Sequence, residues 1–167
     1  MSLFAPLFSA LNAADVRYVV VGGVAVVLHG FARMTGDVDL IVDLTPVEAR
    51  KAIDALVRIG LRPRAPVDAT LFADPAARAT WLRDKNLRVF SLWDPMQPMR
   101  EVDLFVESPI EFSELWARSE VIDIGETHVR VASIDDLVAL KRLAGRPQDL
   151  LDIAELGAIA ARRRGDG

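Results

Sequence analysis

Apolar residues fall along this chain in two rhythms, one helical and one extended. Leu3, Phe4, Leu7, Phe8 and Leu11 recur at helical spacing after Ser2, with Pro6 acceptable near a helix start, which predicts an amphipathic first helix. Tyr18-Val19-Val20-Val21 is an unbroken β-branched run, the signature of a central strand buried on both faces. Gly22-Gly23 interrupts it and leads into a short helix over 24–28, with Gly30 after His29 as a left-handed stop. A polar link over 32–36 precedes a strand at Val38–Val42. Thr45-Pro46 then supplies a cap and a proline for a helix over 47–59 that ends at Gly60.

Two prolines mark 62–66 as a loop, and Asp74-Pro75 repeats the cap-and-proline signal for a helix to about Asp84. Strands follow at 87–93 and 101–106, separated by a turn at Asp94-Pro95. In the second of these, Val102, Leu104 and Val106 alternate with Glu101, Asp103 and Phe105, so both acids share a face. Ser108-Pro109 is expected to open a short helix carrying Phe112, Leu115 and Trp116. A hairpin over 121–131 turns at Gly125-Glu126, and Ser133 with Asp136 reads as a capping pair for a helix at Ile134–Ala144. After a break at Gly145-Arg146-Pro147, a last helix over 148–161 is expected to bury Leu151, Ala154, Leu156 and Ile159.

With 167 residues, half of them hydrophobic, the chain suits one domain burying roughly 70% of its extended surface. Its core is expected at about 15–132 and its C-terminal helices at about 133–164. The absence of cysteine excludes disulfides and thiolate zinc sites. No signal-peptide pattern or membrane-length apolar run appears, so a cytoplasmic protein with no membrane contact is expected. The net charge of −4 provides no general nucleic-acid footprint, and Arg162-Arg163-Arg164 reads as a solvated tail.

The candidate chemistry lies where the second strand begins. Asp37 and Asp39 sit two apart, and in an extended chain residues i and i+2 face the same way about 6.6 Å apart, so both carboxylates can reach one metal. Hard cations such as Mg²⁺ take carboxylate, phosphate and water oxygens. The preceding Gly22-Gly23 turn lets backbone N–H groups approach a phosphate at a helix start. Asp103 can supply a third carboxylate if its strand pairs beside Val38–Val42. Two metals about 3.5–4 Å apart would suit an in-line nucleotidyl or phosphoryl transfer.

Taken together, Gly22-Gly23, the run from Arg33 to Val42 (RMTGDVDLIV) and the run from Glu101 to Val106 (EVDLFV) resemble the nucleotidyltransferase superfamily with its DNA polymerase β-like fold. The resemblance is to small bacterial members related to abortive-infection and toxin–antitoxin nucleotidyltransferases. With LVALKRLAGRPQDLLDIAEL included, it spans most of the chain. It implies an α+β (α/β) fold, a mixed sheet flanked by helices with a C-terminal helical segment. The implied activity is transfer of a nucleoside monophosphate from an NTP to a hydroxyl of a protein, tRNA or small-molecule acceptor, with Mg²⁺ or Mn²⁺.

Residue by residue, the resemblance implies that Asp37, Asp39 and Asp103 hold the metals and serve catalysis. Gly22 and Gly23 would bind the triphosphate through their amides. Arg33 and Thr35 would touch phosphate or brace the loop, and Lys141 would neutralise the triphosphate, oriented by Asp149 or Asp152. Gly23 stands where many active members carry serine. The alternative implied by that departure is a weak or inactive nucleotidyltransferase-fold binding or regulatory protein, for instance one partner of a toxin–antitoxin pair. A DxD phosphatase or glycosyltransferase fits less well, because there the apolar strand precedes the acids.

Simpler roles are expected elsewhere. Glu101 reads as an exposed strand acid or a substitute ligand, His29 as a cap for its own helix end, and His128 as exposed. Trp81, Trp93 and Trp116 read as core or groove walls, with Trp93 close to a pocket rim.

Overall fold

A computed structural model describes residues 3–165. Seven strands form one mixed sheet: β1 (Tyr18–Val21), β2 (Val38–Val42), β3 (Arg62–Pro63), β4 (Val89–Asp94), β5 (Gln97–Phe105), β6 (Glu120–Asp123) and β7 (His128–Val131). Their order across the sheet is β3-β4-β5-β2-β1-β7-β6. The run Tyr18–Val21 is buried at every position, as its unbroken apolar character requires of a strand with neighbours on both sides. It pairs antiparallel with β2, Val21 opposite Asp39, and parallel with β7.

The pairing that matters most for a site is β2 with β5. These strands run parallel with Asp39 opposite Asp103, which brings together acids 64 positions apart. β4 and β5 form an antiparallel hairpin with Ser91 opposite Asp103 and Trp93 opposite Glu101. β5 begins at Gln97, four residues earlier than the alternation suggested, because the hairpin continues past the turn and pairs Gln97 with Asp94. The proline-marked loop likewise contains the two-residue β3, paired at Arg62 with Trp93.

Among the described residues, seven α-helices flank the sheet. They are α1 (Ala5–Ala13), α2 (Gly22–His29), α3 (Pro46–Arg58), α4 (Pro75–Lys85), α5 (Phe112–Arg118), α6 (Ile134–Ala144) and α7 (Pro147–Arg164). Phe4, Leu7, Phe8 and Leu11 are buried as expected of the first helix, while Ser2 lies outside the described residues. α3 packs on β2 and α1, and α2 packs on β1, β2, α6 and α7. The core joins these layers through residues such as Phe8, Leu40, Ile53, Phe90 and Leu104, all at most 1% exposed. Trp81 belongs to it, its ring stacked on Phe90 at 5.1 Å. Among the described residues no helix is long and apolar enough to cross a membrane.

Several local expectations change. α5 is capped by Glu111, whose side chain accepts from the Glu114 N–H, and not by Ser108-Pro109. Ser133 caps α6 as expected, its hydroxyl accepting from the Asp136 N–H at 3.2 Å and donating to the Asp136 carboxylate at 2.9 Å, and that carboxylate also takes Arg118 at 2.9 Å. In α7, Leu151 and Ala154 are exposed, and the inward stripe is Asp149, Asp152, Leu156 and Ile159. Counting apolar residues missed this, because two positions of the buried stripe are carboxylates compensated by cations. His29 is buried, but its Nε2 meets the Ala132 carbonyl at 2.8 Å and its Nδ1 lies 3.2 Å from Arg163, so it ties α2 to the α6 approach and α7 rather than closing its own helix.

Candidate active site

β1 ends at Val21, and the chain turns into α2 through Gly22, whose φ is +65°. A Cβ at Gly22 would lie 1.9 Å from Asp39 Oδ2, so the carboxylate rests directly against this glycine. Only a residue without a side chain permits that approach, and it leaves the start of α2 open toward the acid. Asp37 stands in the bend before β2 and Asp39 within it, and both meet Asp103 across the β2–β5 pair. One oxygen from each of the three carboxylates lies within 4.8 Å of the others. All three are half-buried. The strand face expected for Asp103 is therefore the observed one.

Clustering like charges away from water has a measurable consequence. Burial pushes the Asp39 carboxyl up to about 7, and the nearby Asp37 and Asp103 push the same way, against a smaller opposing effect of Arg146 and Lys141. Burial also raises Asp103, partly offset by the Ser91 hydroxyl, which donates to its Oδ1 at 2.5 Å. Three convergent carboxylates, held part-buried and short of protein cations, form an oxygen donor set of the kind a hard divalent cation takes. The same set needs neither histidine nor cysteine, in keeping with a chain that has no cysteine.

Next to this cluster the loop over 31–37 is pinned by its own side chains. Arg33 donates from Nη1 to the Met34 carbonyl at 2.9 Å and from Nη2 to Asp152 Oδ2 at 3.0 Å. Its Nε is buried without a partner. The Thr35 hydroxyl donates to the Asp37 carbonyl at 3.4 Å, a bracing contact at the entry to β2. A Cβ on Gly23 would lie 2.5 Å from Thr35 Oγ1 and 2.7 Å from Arg33 Nη2. The place where a serine side chain would begin is thus filled by Arg33 and Thr35.

Lys141 is buried on α6 with its ammonium 2.6 Å from Asp152 and 3.2 Å from Asp149. Both aspartates orient it, where the sequence suggested one or the other. Burial alone would raise the two carboxyls, but hydrogen bonds from Arg146 and Lys141 to Asp149, and from Lys141 and Gln148 to Asp152, hold both below the usual carboxylate range. A cavity of about 570 Å³ runs from this network to Asp39, lined among others by Gly22, Phe105, Leu137, Lys141 and Arg146. Its walls combine an apolar stretch with cations and the glycine turn, a composition suited to a nucleotide.

Glu101 lies outside the three-carboxylate cluster. It accepts from Arg64 at 2.7 and 3.2 Å, and the Arg64 guanidinium lies 4.5 Å from the centre of the Trp93 ring, so Trp93 is an arginine-covered wall. Trp116 is likewise flanked by Arg130 at 4.0 Å and Arg17 at 5.1 Å, and His128 is exposed as expected. Ser91 and Arg146 are the site residues that sequence reasoning passed over. The alternation in 87–93 places Ser91 on the face opposite Phe90 and Leu92, but only the register sets it against Asp103. Arg146 stood in a segment read merely as a helix break.

A family model described as "Nucleotidyltransferase of unknown function (DUF6036)" matches residues 3–161. No protein of curated function matches the sequence. Among solved structures, the lincomycin-bound lincosamide antibiotic adenylyltransferase LnuA superposes with a TM-score of 0.63 and 14% identity, over 95% of this chain and 97% of that one. An antigenic nucleotidyltransferase-like protein from Paracoccidioides brasiliensis gives 0.58 and 16%, over 93% of this chain and 73% of that one. At such identities the two structures speak for the fold.

Proposed function

Since the chain belongs to the nucleotidyltransferase family whose model spans it, and is thereby a transferase of phosphorus-containing groups, we propose that it moves a nucleoside monophosphate from an NTP to an acceptor hydroxyl at the Asp37–Asp39–Asp103 corner, the acceptor oxygen bonding the α-phosphorus as pyrophosphate leaves. The observation that carries this reading is the convergence of the three carboxylates against Gly22. Asp37, Asp39 and Asp103 would hold Mg²⁺ or Mn²⁺, which when bound supplies positive charge to the transferring phosphoryl group. Ser91 keeps Asp103 turned toward the cluster, leaving its second oxygen available.

Gly22 and Gly23 present their amides at the start of α2 to the triphosphate. Arg33 and Thr35 hold the loop that carries Asp37, and Lys141 contributes positive charge from the cavity wall. Phe105 and Leu137 offer the apolar surface that a base needs. Closing the reacting groups in this part-buried corner strengthens each electrostatic contact relative to water. The Gly-Gly form is compatible with this role, because Arg33 Nη2 and the Thr35 hydroxyl supply polar groups where the serine of other members would stand.

Each labelled NTP, incubated with Mg²⁺ and a cell extract, tests the reading and identifies the acceptor class as protein, tRNA or small molecule. Label transfer by the wild type, reduced at least about a thousandfold in Asp39→Ala with the fold retained, is expected for loss of a metal-holding group. No Mg²⁺-dependent binding of any NTP by calorimetry would sink it. Tight association with a co-expressed partner and no labelled product would instead favour a regulatory protein of the toxin–antitoxin kind.

A further inference from the structure

We propose that Arg146 is the side chain that grips the substrate triphosphate, leaving Asp149 for a phosphate oxygen when nucleotide enters, while Lys141 remains behind as the buried anchor of that exchange. This deepens the transferase reading above and rests on it. Arg146 is the residue before α7, in the same cavity wall as Gly22 and Asp39. Its side chain is 73% exposed, whereas that of Lys141 is 5% exposed. The two cations are therefore unequal in what they can give up.

Arg146 reaches Asp149 with Nε at 2.8 Å and Nη2 at 3.4 Å, a forked contact at the water-facing edge of the network. Lys141 sits deeper, between Asp149 and Asp152. Withdrawing Lys141 toward a ligand would strip two buried carboxylates of an ion-pair partner at once, the costly way to break a buried pair. Withdrawing the Arg146 side chain costs much less, because Asp149 keeps Lys141 at 3.2 Å and the Arg146 backbone N–H at 3.0 Å.

Charge balance points the same way. Within the ion-pair network Arg33, Lys141 and Arg146 meet Asp149 and Asp152, three cations on two anions, so one cation can leave without taking the last partner from either carboxylate. Exposure marks Arg146 as the one that can leave. The Asp39 and Asp37 charges also favour the protonated Arg146, after its hydrogen bond to Asp149. A guanidinium offers two parallel donors to phosphate oxygens, so the fork now spent on Asp149 fits the proposed partner equally well.

Inorganic tripolyphosphate with Mg²⁺ is the probe of choice, since it lacks base and sugar, and calorimetry with all four NTPs runs beside it. Arg146→Ala is expected to weaken tripolyphosphate and NTP binding by about tenfold or more. Arg83→Ala, on α4 outside the cavity lining and paired with Asp84, is expected to leave tripolyphosphate binding within about twofold, where a diffuse field would lower both. Should Arg146→Ala fail to fold, Arg146→Lys keeps the charge, loses the fork and is expected to show a smaller loss. Equal losses at Arg83 and Arg146, or unchanged binding in the Arg146 variant, would overturn the assignment while leaving the transferase reading intact. Absence of NTP binding by the wild type would remove the transferase reading and this role together.

Discussion

Two groups of aspartates lie on either side of one cavity and are treated in opposite ways. Asp37, Asp39 and Asp103 face one another, and Asp39 rises to about 7. Asp149 and Asp152 are more deeply buried, yet both are held below the ordinary carboxylate range, because Lys141, Arg33 and Arg146 are built around them. The same residue type is thus a source of stability in one place and a liability in the other. Desolvation alone does not decide between them; the supply of compensating donors does. The fold matches two carboxylates fully and leaves the other three facing one another.

The largest effect should come from dismantling the matched group. Lys141→Met removes the ammonium shared by Asp149 and Asp152, and loss of one partner from a buried pair costs about 3–5 kcal/mol. The lower end is expected, since Asp149 keeps Arg146 and Asp152 keeps Arg33. Urea unfolding without nucleotide or metal measures it. Removing an acid from the other group should act with the opposite sign, so Asp39→Asn is expected to unfold at higher urea than the wild type at pH 8. If Lys141→Met and Asp39→Asn shifted stability alike, the contrast between the two groups would be lost.

A smaller effect follows from pH. The folded value for Asp39, about 7, lies above its ordinary 3.8, so the folded state binds the extra proton between those values and stability falls as pH rises through them. Below both values Asp39 contributes nothing, and above about pH 7 its full cost is present, capped at roughly 4 kcal/mol by that difference. Asp149 and Asp152 are lowered, so their contribution is present above the unfolded pKa and lost only as pH falls below the usual carboxylate range. Stability without metal should therefore decline from about pH 5 to pH 8, and Asp39→Asn should flatten the decline. Mg²⁺ or Mn²⁺ at pH 8 should restore much of the loss in the wild type and none in the variant, as read from urea midpoints. Matching slopes in wild type and variant would show that other groups set the pH response.

Much of the unmatched group was legible in the sequence, and little of the matched one. Asp37 and Asp39 announce themselves by their i, i+2 spacing at the mouth of an apolar strand, and Asp103 by the alternation around it. β1, β2, α6 and the left-handed stop at Gly30 also follow from local pattern, because apolar runs, caps and glycine are themselves the cause of those features. The buried stripe of α7 was not readable in this way. By pattern alone Asp149 and Asp152 look like solvent-facing residues; the family resemblance set one or the other beside Lys141, and only the fold shows both there, with Arg33 and Arg146 closing around them. The Ser91–Asp103 bond likewise depends on strand register, which no single strand encodes.

Gly23 joins the two groups, and substituting it gives the mildest of these effects. Its position on α2 faces Arg33, which is tied to Asp152 in the matched group, and Thr35, which is tied to the Asp37 carbonyl in the other. Gly23→Ser would place Cβ 2.7 Å from Arg33 Nη2 and 2.5 Å from Thr35 Oγ1, closer than real contacts allow. Both neighbours are side chains and one is long, so they can give way. The expected cost is that of modest overpacking, about 1–3 kcal/mol, against the larger strain expected at Gly22, where the obstacle is Asp39 itself and φ is positive. Gly23→Ser combined with Thr35→Ala should recover part of that loss in urea unfolding, because the nearest obstacle is gone. Strict additivity of the two substitutions would mean that Thr35 does not press on position 23, and that the glycine there is not set by its neighbours.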